Sequence, residues 1–176
     1  MIGYYTLTPF LFINRLHISA ENFGYLSLIS AGTYIAGVVL GRIFSSVETL
    51  KMVFVGTILA FLSSVVGVLC AIFYPMNIVT VLLPISLFTF AAGEIAPSSN
   101  AGALSSLRHL AGIGSAVAGA SIYVSSSIFS SIATALPIHD LWPLVFYMGI
   151  TSTLAFAMFL YLIVLPARRL NMVNIK

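Results

Sequence analysis

Residues 52–74 read MVFVGTILAFLSSVVGVLCAIFY, a run without a single Asp, Glu, Lys or Arg. As a helix rising 1.5 Å per residue, it reaches about 34 Å, enough to cross the roughly 30 Å hydrocarbon core of a bilayer. It has no apolar/polar alternation, and it is too long for a barrel strand. Working outward, breaks in hydrophobicity delimit four more runs of spanning length, at 22–43, 77–97, 110–134 and 142–165. Of these, 110–134 and 142–165 are also free of Asp, Glu, Lys and Arg. The predicted fold class is therefore all-α integral membrane. Residues 1–176 form one transmembrane domain with five full helices and a partial first one.

Composition agrees. Hydrophobic residues make up 60% of the 176 and charged residues 6%, against about 25% charged in an ordinary soluble domain. The principal partner of such a surface is the lipid bilayer. Seven cations outnumber four acids, but they are scattered over loops and chain ends, so no nucleic-acid patch forms. Cys70 is the only cysteine, which excludes a disulfide framework and a cysteine metal site. His17, His109 and His139 lie far apart, in loops. No nucleophile–base pair, phosphate loop or metal constellation is visible. The reading is no enzyme and no cofactor.

The breaks have their own chemistry. Ser19 precedes the 22–43 run in Ser-Ala-Glu-Asn and can cap it. Residues 74–77, Tyr-Pro-Met-Asn, read as a tight turn and Pro166 as a helix stop. Pro9, Pro84 and Pro97 each remove a backbone donor and tend to bend a helix. The first segment is short, with fourteen residues before Arg15 and no polar face. It reads as the second half of a spanning helix whose first half is missing.

Orientation follows from the cations. If 15–21 lies outside, then Arg42, Lys51, Arg108, Arg168, Arg169 and Lys176 fall inside and Arg15 alone outside. This is the asymmetry of the positive-inside rule, and it predicts a cytoplasmic C-terminus.

Two small-residue patterns stand out. Ala111, Ser115 and Gly119 recur every four residues, with Gly112 and Ala116 beside them, and Gly37 and Gly41 form a second pair. Small side chains let neighbouring helices approach closely, so both patterns read as helix contacts, static or gating. Glu94 is the one acid within a predicted span. It lies about 25 Å along a helix from Asn77, near the expected cytoplasmic edge, where an ion pair with Arg108 or Arg42 is the plainest expectation. Tyr4, Tyr5, Tyr123 and Tyr147 are candidates for lining an aromatic cavity, with interfacial or packing roles as the alternative.

Together these residues resemble a known family. Tyr5-Thr-Leu-Thr-Pro9-Phe10 and Ile18-Ser-Ala-Glu-Asn-Phe23-Gly24 look like the opening of the second half of a major facilitator superfamily transporter. Gly37-Val-Val-Leu-Gly41-Arg42 is similar to that family's cytoplasmic signature after the eighth helix. Gly93-Glu-Ile-Ala-Pro97-Ser-Ser-Asn-Ala101-Gly-Ala103-Leu, then Ala111-Gly-Ile-Gly-Ser115-Ala-Val-Ala-Gly119, resembles the bicyclomycin- and chloramphenicol-resistance branch, whose members are drug:proton antiporters. Ile122 stands where that branch often carries glutamine.

The resemblance implies a bacterial inner-membrane protein and a fragment or split half of a multidrug efflux transporter. It also implies an N-terminal partner half, a small amphipathic organic substrate and protons, with Tyr5, Pro9, Phe10 and Tyr123 as the expected cavity wall. Substrate sites in such folds form between the halves near the midplane, so the chain is expected to be inactive alone. The alternative expectation is a non-transporting membrane remnant or an assembly subunit.

Overall fold

In a computed structural model, residues 2–44, 49–105, 110–135 and 140–161 are described. They are helical apart from short turns. The elements are α1 (Ile2–Pro9), a π-helical continuation (Phe10–Arg15), α2 (Ala20–Ile43), α3 (Thr49–Phe73), α4 (Ile78–Ser105), α5 (Ala111–Ala135) and α6 (Trp142–Phe159). The last five contain the five stretches long and apolar enough to cross a membrane. This is a multi-pass membrane protein.

Local chemistry sets the ends. Ser19 caps α2, its hydroxyl accepting from the Asn22 amide at 3.3 Å. Asn77 and Thr80 cap α4 reciprocally: the Thr80 amide donates to Asn77 Oδ1 and the Asn77 amide to Thr80 Oγ1, each at 2.9 Å. These bonds use amide donors that a helix start leaves unpaired. Within the spans, hydroxyls turn back on their own helix, as Ser63 does to the Ala60 carbonyl and Ser152 to that of Met148. A polar side chain is thereby satisfied where no water is available.

Two boundaries differ from the sequence reading. The helix expected to stop at Pro97 runs on to Ser105. Proline removes one amide donor and kinks a helix, but a membrane helix tolerates it when neighbours and hydroxyls compensate. The last span was expected to reach 165; α6 is described to Phe159, with Leu160 and Tyr161 continuing it, and its remainder lies outside the described residues.

The short first segment occupies the core. Leu7, Leu11 and Phe12 are fully buried, in one cluster with Val81, Ile85, Leu144, Val145 and Met148. After Pro9 the helix widens, and the Leu16 amide reaches the Leu11 carbonyl five residues back at 3.1 Å. A proline at the start of such a π turn is an ordinary cause of helix distortion. The chain then reverses through His17, whose φ of 53° is left-handed, and Phe12 meets Phe23 with ring centroids 5.8 Å apart.

Helix α4 is central. It packs along α2 and α3, α3 packs along α6, and α1 packs along α5. Half of the α4 span is buried, against 11% of the α2 span and 6% of the α5 span. Beyond Lys51 in its first turn, the exposed large side chains of α3, among them Phe61, Leu62, Val65 and Leu69, are apolar, as a lipid-facing surface requires. Helix α5 differs: it exposes Ser115, Ser121, Ser125, Ser127 and Ser131 among its Ile and Val residues.

Candidate functional site

Two helix faces gather the polar and small residues of the bundle. The first is the crossing of α2 and α4. Gly37 faces the α4 backbone so closely that a Cβ there would overlap the Phe90 carbonyl oxygen, 3.1 Å from its carbon and 3.2 Å from the Glu94 amide nitrogen. The relation is reciprocal, since a Cβ on Gly93 would overlap the Tyr34 carbonyl oxygen. Each glycine thus stands against the carbonyl of the residue three before the other glycine. One turn away, Thr33 and Thr89 share a hydrogen bond between hydroxyls at 2.7 Å, and Thr89 is fully buried. Contact this close maximises dispersion between backbones, the main source of helix association in lipid.

Glu94 sits at the same crossing. It is 7% exposed, and a Cβ on Gly41 would lie 3.7 Å from its Cγ and 3.8 Å from its Cα. Gly41 therefore makes the space in which the start of this side chain is held. Arg42 is exposed, and among the described residues Glu94 and Arg42 form no ion pair. Arg108 lies outside the described residues. An intramembrane carboxylate is costly and marks a proton, cation or pairing site; in this chain it is packed between two helices in contact.

The second face is on α5. Thr6 of α1 and Ser130 share a hydrogen bond at 2.8 Å, and Ala133 is fully buried. Helical geometry, 100° per residue, puts Gly119 and Ser130 within about 20° of one line, and Ser115 and Ser126 likewise. The small-residue stripe is thus the continuation of the face that α1 covers. Nothing lies within 4 Å of a Cβ placed on Gly112 or Gly119, and the exposed Ser115 donates only to the Gly112 carbonyl of its own helix, at 3.0 Å. Ala111 opens α5, with its side chain outside the described set. Among the described residues, no helix covers the stripe along this stretch.

The cavity candidates are not gathered into one wall. Tyr5, Phe10 and Tyr123 are exposed and Pro9 is half-buried. Tyr123 precedes Ser130 by seven residues, about 10 Å of helix, and among the described residues it makes no hydrogen bond or ring contact.

Sequence reasoning missed Gly93, Thr33 and Thr89. Gly37 and Gly41 signalled one side of the crossing by their spacing; on the other side Thr89 and Gly93 stand four residues apart, a small-xxx-small pair that could have been found. No family model matches the chain, and neither a curated protein nor a solved structure matches it.

Proposed function

We propose that this chain is one half of a secondary transporter of the major facilitator type, working against a second helical domain to export small amphipathic organic molecules in exchange for protons. The observation that carries the reading is the α5 stripe, a small-residue and hydroxyl face that continues a helix contact and is left open along residues 112–119. Lipid chains gain little from a groove of Gly, Ala and Ser, whereas a helix backbone gains close contact there. The resemblance of residues 93–104 and 111–119 to the drug:proton antiporter branch supplies the substrate class. In this reading Glu94 is the proton-linked carboxylate at the α2–α4 crossing, and Tyr5, Phe10 and Tyr123 face the space between the halves.

The test is accumulation of a fluorescent amphipathic dye in the native host and in the same host with this chain deleted, so that the second helical domain is present in both. The reading expects lower accumulation with the chain, relieved by a protonophore and abolished by Gly119→Leu at unchanged membrane levels. Equal accumulation in both cell types refutes it. A second reading, a non-transporting assembly subunit, is favoured by the same open face, which would suit a larger complex. It expects co-purifying membrane proteins whose capture is lost in Gly119→Leu, with dye levels unaffected.

A further inference from the structure

A cavity of about 220 Å³ opens where α3 gives way to α4 and α6 begins, lined by Ala71, Tyr74, Met76, Asp140, Leu141 and Trp142. Leu141 is buried in the core cluster. Trp142 stacks at a tilt on Phe146, one turn along α6, with centroids 5.6 Å apart. Asp140 brings the one carboxylate of the lining, and among the described residues that carboxylate has no hydrogen-bond or ion-pair partner. The C-terminal pole of α3 and the N-terminal pole of α6 meet at this spot. The N-terminal pole of α4 begins here as well, and since each pole amounts to about half a charge, the Asp140 carboxylate is the one full charge of the lining.

We infer that this cavity is a binding site for an organic ammonium group, with Asp140 as its counter-ion and the Tyr74 and Trp142 rings as its walls. Aromatic faces carry negative quadrupole density and attract cations, ammonium groups above all. A hard metal ion is a poor fit, because Ca²⁺ takes six to eight oxygen ligands and one carboxylate lines this cavity. Its volume falls below the roughly 300–1,000 Å³ of pockets that enclose a drug-sized ligand. It therefore suits the head of a molecule whose tail lies outside. That head belongs either to an ammonium-bearing lipid, at the membrane-interface level where Trp and Tyr concentrate, or to a free organic cation. The inference is independent of the transporter reading, because it involves neither α5 nor the α2–α4 crossing.

Trp142 is the only tryptophan in the chain, so its emission reports on the cavity directly. The experiment titrates tetramethylammonium against the full chain in nanodiscs of phosphatidylglycerol, at constant ionic strength. The neutral carbon isostere of choline, 3,3-dimethyl-1-butanol, serves as the shape control. A saturable change with the cation and none with the alcohol is expected. Tyr74→Ala should weaken binding about threefold, as for a cation–π contact at an exposed ring. Asp140→Asn, which keeps the side-chain shape, should weaken it about threefold, as for an exposed charge pair. Repeating the titration in phosphatidylethanolamine discs separates the sources. A raised apparent dissociation constant identifies the lipid head group as the resident ligand, and an unchanged one identifies a free cation; both support the site. The absence of saturation in phosphatidylglycerol, an equal response to the alcohol, or unaltered affinity in both variants overturns it.

Discussion

Adding one methyl group at Gly37 is the sharpest perturbation available to the α2–α4 crossing. The new carbon would overlap the Phe90 carbonyl oxygen, and neither partner there is a flexible side chain that can swing away. The helices must separate, by about 1 Å if ordinary contact distances are to be restored. A gap of that size forfeits up to about half of the dispersion energy of each contact along the crossing. It also stretches the Thr33–Thr89 bond from 2.7 Å to beyond hydrogen-bonding range. Overpacking costs about 1–3 kcal/mol and an interhelical hydrogen bond in a membrane is worth about 0.6 kcal/mol, so Gly37→Ala should cost about 2–3 kcal/mol. Gly93→Ala should cost the same by the reciprocal clash. Once the helices have parted for one methyl, the second finds room, so the double variant should fall well short of the sum. Unfolding from mixed micelles with dodecyl sulfate, followed by Trp142 emission, measures all three. Gly32→Ala is the control on the same helix, since nothing lies within 4 Å of its Cβ position. A Gly37→Ala cost no larger than that of Gly32→Ala refutes the crossing, and full additivity of the two crossing variants refutes the shared separation.

Three further outcomes can be checked in the same assay. Thr89→Val keeps the side-chain shape but removes the hydroxyl bonded to Thr33; it should cost about 0.6 kcal/mol, and the cost should vanish in a Thr33→Val background. Leu11→Ala empties a fully buried site and should cost at least about 2 kcal/mol, whereas Leu28→Ala, at a position 66% exposed, should cost less than about 0.5 kcal/mol. His17 holds a left-handed backbone, so a β-branched side chain there should cost about 1–2 kcal/mol. His17→Gly should cost nothing while His17→Val destabilises.

The spans were legible because hydropathy over some twenty residues is what a bilayer selects. The 52–74 run became α3 (Thr49–Phe73) and the 110–134 run became α5 (Ala111–Ala135), with ends shifted by a few residues where caps and turns decide. The rank of the helices was not legible. Lipid and helix interior are about equally apolar, so α4, half buried, and α2, mostly exposed, differ little in composition. The 77–97 run ended at Pro97 because hydropathy falls off there, whereas the helix itself continues through the polar residues to Ser105. The first segment looked incomplete by length, and its burial at Leu7, Leu11 and Phe12 depends on contacts that no local pattern encodes. At the candidate site, spacing marks both sides of the crossing, Gly37 with Gly41 and Thr89 with Gly93. Which helix lies opposite which is a property of the packing.

The central claim is that apolar α3 residues face lipid while the α5 stripe faces protein. Nitroxide labels at Leu62→Cys and Ser115→Cys, in a Cys70→Ser background that removes the only native thiol, test it in membranes of the producing cells. Relaxation by oxygen, which concentrates in the hydrocarbon, should be high at position 62 and several-fold lower at 115, with a water-soluble nickel chelate reaching neither. Equal and high oxygen accessibility at both positions would contradict the account.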